Sequence, residues 1–156
     1  MQGVSLDATD RQILDLLQTR PGLNASSIGE LIGLSQSACW RRMQRLRDEG
    51  VIVDQAVVLD PEKVGLNTMV FATVKLTSHG RSNLAAFAEA VQNYPEVLDC
   101  YCLLGNSDFL LRIVAEDIKA YEAFFFDKLS QLPGIQEVTS SIVLSDIKHT
   151  TVLPIS

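Results

Sequence analysis

Apolar residues recur at helical spacing through the first third of the chain and then give way to alternation. Leu6, Ile13, Leu14 and Leu17 form one stripe, which predicts a helix from Leu6 to Thr19. Asp7 is a candidate N-cap, and Asp10 stands in the first turn, where negative charge is favoured. Arg20-Pro21-Gly22 breaks the pattern, because proline cannot continue a helix and glycine permits the turn. A shorter helix is predicted from Ala25 to Ile32, capped by Asn24, with Ile28, Leu31 and Ile32 on its apolar side. Gly33-Leu34-Ser35 follows. Cys39, Met43 and Leu46 then recur at i, i+4, i+7, a buried stripe of a third helix that Ser35 caps and Gly50 ends.

The periodicity changes after Gly50. Val51 to Leu59 is rich in β-branched residues and reads as a strand, and Asp60-Pro61-Glu62-Lys63 reads as a break and domain boundary. Strands are predicted over Leu66–Thr77, Glu96–Leu104, Phe109–Ala115 and Ile135–Lys148, and helices over Arg81–Asn93 and Asp117–Leu132. Gly105-Asn106-Ser107-Asp108 joins two of the strands as a tight hairpin turn. The order is β-α-β-β-α-β, the ferredoxin-like layout, with two helices on one face of a four-stranded antiparallel sheet. Val70, Phe71, Val74, Ile113, Ile142 and Leu144 are read as too many apolar residues for one face of alternating strands. That predicts sheet-to-sheet dimerisation.

Charge sharpens the reading of the third helix. The 156-residue chain carries a formal net charge of −6, yet Arg41, Arg42, Arg45 and Arg47 fall between Gln36 and Arg47 with no acid among them. A solvated surface helix is the bland account of such a run. The interleaved Gln36, Ser37, Trp40 and Gln44 are types that contact base edges or phosphates. Two helices joined by a short glycine-containing turn, the second basic, form the helix-turn-helix arrangement. Its second helix enters the major groove, N-terminal residues nearest the bases. Overall acidity does not exclude nucleic acid, since the local patch decides.

Other chemistry is sparse. Hydrophobic content of 47% and charged content of 21% are ordinary for a folded soluble protein. No segment has the apolar continuity of a membrane span, and the N-terminus has no signal-peptide pattern. Cys39, Cys100 and Cys102, an odd number, argue for free thiols in a reducing compartment. Cys100 and Cys102 share a side of a strand, either as a metal pair or as half-buried strand residues; no ligand cluster of zinc type surrounds them. No nucleophile elbow, phosphate-binding glycine loop or clustered ligands are present, and His79 and His149 are isolated. The chain is therefore not read as an enzyme.

LDATDRQILDLLQ at 6–18, IGLSQSACWRRMQRLRDEGVI at 32–52, LDPEKVGL at 59–66, LLGNSDFLLRI at 103–113, LPGIQEVTSSIVLSDIK at 132–148 and the terminal TTVLPI together resemble the Lrp/AsnC (leucine-responsive/asparagine, feast/famine) family of transcription factors. The resemblance spans essentially the whole chain. It implies an α+β protein with a winged-type helix-turn-helix and strand linker in residues 1–60. Residues 61–156 would form a βαββαβ, ferredoxin-like (RAM/ACT-like) domain for effector binding and oligomerisation.

The implied function is sequence-specific regulation of amino-acid metabolism or transport genes, in the cytoplasm and on the nucleoid. The partners are double-stranded operator DNA, a small amino-acid effector and further copies, as a homodimer or an octamer of four dimers. No cofactor, metal or membrane is implied. The alternative is a global, nucleoid-type architectural DNA-binding protein without an effector.

Position by position, the resemblance puts Ser35, Gln36, Ser37, Trp40, Arg41, Arg42, Gln44 and Arg45 at the DNA. Gln36, Ser37, Trp40 and Arg41 would face bases, with a backbone or sugar contact equally open to Trp40. Arg42, Arg45 and Arg47 are candidates for phosphate contacts or internal ion pairs. Cys39 matches a core position. The effector site falls on Gly105, Asn106, Ser107 and Asp108 with Ser140 of the last strand, at the contact between neighbouring dimers. Asp108 would pair with the ligand ammonium or cap its own turn. Asn106 and Ser107 depart from the acidic or aromatic residues frequent there, and Val138 from a frequent Thr; these favour a polar pocket.

Overall fold

Each of the first three helices begins where a side-chain oxygen can hold the free N–H groups of its first turn. The computed structural model describes residues 4–81 and 84–155. Helix α1, Ala8–Thr19, is capped by Asp7 in a reciprocal capping box with Asp10. Helix α2, Ala25–Ile32, is capped by Asn24, and α3, Gln36–Asp48, by Ser35. Two glycines make the turn between α2 and α3. Gly33 adopts the left-handed conformation at φ 71°. Gly29 lets the chain return closely: a Cβ there would lie 2.7 Å from the Leu34 carbonyl oxygen. Ile13, Leu14, Ile28, Cys39, Met43 and Leu46 form the core of this bundle, whereas Leu31 is exposed.

The stretch read as a strand from Val51 to Leu59 is not one. It is extended and irregular, with Val53, Val57, Val58 and Leu59 exposed. β-branched residues favour an extended backbone, but a strand also needs a neighbour to pair with, and among the described residues this stretch has none.

Strands β1 (Thr68–Leu76), β2 (Val97–Cys102), β3 (Phe109–Ala115) and β4 (Ile135–Ile142) make one antiparallel sheet in the order β2-β3-β1-β4. Helices α4 (Ser78–Arg81), α5 (Leu84–Gln92) and α6 (Ile118–Asp127) accompany it, and the helix predicted over Arg81–Asn93 crosses residues 82–83, which lie outside the described residues. The order is the ferredoxin-like βαββαβ, with a short extra helix ahead of α5. Val70, Ala72, Val74, Leu111 and Ile113 are buried in its core with Phe87, Val91, Tyr121 and Phe124.

The face assignment corrects the argument for a second apolar surface. Val70 pairs with Ile113 and with Ile142, so these three and Val74 share the helix side. Of the residues offered for the open face, Phe71 alone lies on it as part of a strand; Leu144 follows β4. The open face nevertheless carries Met69, Leu110 and Tyr101 on alternate strand positions.

The last strand ends at Ile142, short of the predicted Lys148. The chain divides into two compact units, Met1–Val57 with Lys148–Ser156, and Val58–Ile147. The C-terminal stretch thus groups with the helices and not with the sheet. Gln18 of α1 holds that stretch: the Leu153 N–H donates to Gln18 Oε1 at 2.7 Å and Gln18 Nε2 donates to the Leu153 carbonyl at 3.3 Å. Ile155 adds apolar contact with the helical core.

Candidate nucleic-acid interface and effector site

The outward side of α3 is divided between free and engaged side chains. Gln36, Ser37, Trp40 and Arg41 are exposed, Trp40 to 54%. Among the described residues, nothing hydrogen-bonds the side chains of Gln36, Trp40 or Arg41. Ser35 and Ser37 bring their hydroxyls within 3.3 Å of each other, and Ser35 also caps the helix through the Ala38 N–H. The remaining polar residues point elsewhere. Gln44 Nε2 donates to Asp48 at 2.9 Å. Arg42 Nη1 donates to Asp7 at 2.6 Å and to Asp10 at 2.9 Å, and Arg45 Nη2 donates to Asp10 at 2.5 Å.

Of the two roles open to Arg42 and Arg45, the structure thus realises the internal ion pair. Asp10 is fully buried. Burial alone would push its carboxyl up; the hydrogen bonds from Arg45 and then Arg42 outweigh this and hold it below the usual carboxylate range. Asp7 is held low chiefly by Arg42. Both arginines are held above their ordinary value by the same bonds. A capping box at the start of α1 therefore also fixes α3. Two of the four arginines have their charge locally offset, and Arg41 stands free on the exposed face.

The hairpin between β2 and β3 closes with the Leu103 N–H donating to the Asp108 carbonyl at 2.8 Å. The Asp108 N–H donates to Val74, and Asp108 Oδ2 accepts from the Leu76 N–H at 2.7 Å. Asp108 thus ties the hairpin to the end of β1. Gly105 has open space around it and does not adopt a left-handed conformation. Asn106 and Ser107 line a shallow cavity of about 180 Å³ together with Thr73, Lys75, Glu137 and Thr139.

Ser140 is not part of that cavity. It pairs with Ala72 on the helix side of the sheet, and its hydroxyl is hydrogen-bonded to Tyr121 of α6. The hydroxyl facing the hairpin comes from its neighbour Thr139, opposite Thr73, next to the cross-strand pair Lys75 and Glu137. No ion pair joins that lysine and glutamate. The alternation around Val74 and Val138 puts Thr73, Lys75, Glu137 and Thr139 on this face, since odd-numbered neighbours must take the side opposite to the core.

Comparison with known proteins bears on this arrangement. The model of the Lrp/AsnC ligand binding domain matches residues 69–153, and that of a winged helix-turn-helix DNA-binding domain matches residues 6–53. The chain belongs to the Lrp/AsnC family of transcriptional regulators. This Lrp/AsnC chain is 37% identical over 150 residues to the DNA-binding transcriptional activator DecR of Escherichia coli, covering 96% of this chain and 99% of that protein. It is also 37% identical to the transcriptional regulator AzlB of Bacillus subtilis, covering 98% of each. Among solved structures, a Neisseria meningitidis transcriptional regulator in complex with L-Met superposes with a TM-score of 0.91 at 39% identity, covering 96% of this chain and 97% of that one. An AsnC family regulator from Agrobacterium tumefaciens gives 0.89 at 38% identity, with the same coverage. The chain is a DNA-binding regulator with a ligand-binding domain, not an enzyme. No helix among the described residues is long and apolar enough to cross a membrane.

Proposed function

We propose that Gln36, Ser37, Trp40 and Arg41 read the operator, with Ser35 setting the start of the helix that carries them. Arg42, Gln44 and Arg45 serve that surface by bracing it. The observation that supports this most directly is the split on α3: Arg41 has no internal partner, whereas Arg42 and Arg45 converge on Asp7 and Asp10.

The effector is an amino acid bound beside the hairpin, at Asn106 and Ser107. The open-face cavity offers Lys75 for a carboxylate and Glu137 for an ammonium group, with Thr73 and Thr139 to meet a polar side chain. Asp108 supports the site by fixing the hairpin. Gly105 leaves room for approach, and Ser140 fixes β4 against α6. A relative that binds L-Met supports the amino-acid class without fixing which member of it. The acting species is a cytoplasmic homodimer, assembling further into an octamer of four dimers. Exposed Val53, Val57 and Val58 in the linker and Phe71 on the sheet supply apolar surface for it.

Titrating each of the twenty amino acids while following the melting temperature tests the effector assignment. One or a few should raise it by an amount that grows with ligand concentration. No shift with any of them, alongside intact DNA binding, sinks the effector assignment and leaves an architectural DNA-binding protein.

A further inference from the structure

Cys100 and Cys102 stand on β2, which is an edge strand of the sheet. Cys100 pairs with Leu111 and Cys102 with Phe109, both core residues on the helix side, so the two thiols project to that side together. Asp99 and Tyr101 alternate to the opposite face by the same register, where the Asp99 carboxylate accepts from Arg112 Nε. Both cysteines are free and exposed. They line one groove of about 350 Å³ between β2 and α5, with Val91, Leu98 and Phe109 as apolar walls and Gln92 as a polar neighbour.

The geometry points to a two-thiolate site for a soft d¹⁰ metal ion, copper(I), bridged between Cys100 and Cys102. Ligand number and span select that ion. The described residues contain no group of three or more His, Cys, Asp and Glu placed to share an ion. A tetrahedral zinc site needs four ligands and hard ions need several oxygens, whereas a bis-thiolate satisfies copper(I) in linear coordination.

Span gives the second argument. Alternate residues of a strand are roughly 6.8 Å apart at the α-carbons, at the far limit for a disulfide. Two metal–sulfur bonds of about 2.3 Å each reach about 4.6 Å from sulfur to sulfur, a span the two side chains close by turning their sulfurs toward one another, without drawing the backbone together.

Binding releases two protons and changes no oxidation state. The site is on the face of the sheet opposite to the cavity at Lys75 and Glu137, so it does not compete with the effector there.

The test uses the full chain, fully reduced and kept under anaerobic conditions. Copper(I) is supplied as its acetonitrile complex against bathocuproine disulfonate as a coloured competitor. Wild type should retain one copper per chain, with two sulfur neighbours by X-ray absorption. Cys100→Ser and Cys102→Ser should each weaken retention by at least about a hundredfold, because each loses the chelate. Cys39→Ala should retain copper as wild type does. Both serine variants alter exposed positions, and their melting curves check that they fold. The proposal is overturned if wild type yields all its copper to the competitor. It is equally overturned if the two single variants each keep half the copper, or if the double variant binds like wild type.

Discussion

Asp10 of α1 and Arg45 of α3 meet at 2.5 Å, and the carboxylate that makes this contact has 1% of its side chain exposed. A second arginine, Arg42, reaches the other oxygen. The recognition helix is thus fastened to α1 by an anion that can exist in that interior because two cations face it.

Acid should undo this fastening. The folded-state value of Asp10 is depressed, so its contribution is fully present above its unfolded value of about 4 and is lost as pH falls through that value toward the folded one. Asp10→Asn should cost about 2–3 kcal/mol at neutral pH, because it leaves Arg45 and Arg42 short of a charged partner. It should also flatten the decline in stability below about pH 4. Urea unfolding at several pH values measures both. Equal acid sensitivity in the variant would assign it to other carboxylates.

Arg41 and Arg45 should fail in different ways. Arg41→Ala should leave the melting temperature unchanged and weaken binding to operator DNA, with the salt dependence reduced by about one unit of slope. Arg45→Ala should lower the melting temperature, and its loss of DNA binding should be recovered in part on cooling. Fluorescence anisotropy across a salt series, beside thermal melts, separates the two. Unchanged affinity in Arg41→Ala ends its assignment as a DNA contact.

In the sheet unit, Thr139 and Ser140 offer an adjacent comparison. Glu137→Gln and Thr139→Val should remove the amino-acid-induced melting shift. That shift corresponds to about 2.7 kcal/mol at a ligand concentration one hundred times Kd. Ser140→Ala should keep the shift while lowering the baseline by about 1 kcal/mol, the worth of its bond to Tyr121. The reverse result would move the effector to the helix side of the sheet.

Gly29 should tolerate no side chain. A Cβ 2.7 Å from the Leu34 carbonyl meets backbone, which cannot swing aside. Gly29→Ala, although a better helix former, should destabilise the helical unit by about 1–3 kcal/mol. Hydrogen exchange of the α2 and α3 amides reads this directly.

Local signals carried much of this architecture. Asp7 with Asp10, Asn24 and Ser35 announced three helix starts, and each is a cap in the structure. The hairpin at Gly105–Asp108 and the order of the sheet elements were equally legible, because turns and periodicity are written within a few residues. Interactions between distant stretches were not. That Arg42 and Arg45 turn inward depends on where α1 lies. That Thr139 and not Ser140 meets the hairpin depends on the register of β4 against β1, and one step of register exchanges the faces. Val51 to Leu59 misled for a related reason: propensity there speaks for an extended chain, and pairing needs a neighbour that the sequence pattern does not name.

The hold of Gln18 on Leu153 gives the polypeptide a topological character of its own. The sheet is threaded as an insert, entered through one connection and left through another, and both connections lead to the same three-helix body. A domain hung from a single tether leaves one end of its chain loose, whereas here both ends of the sheet domain run back into the helical unit.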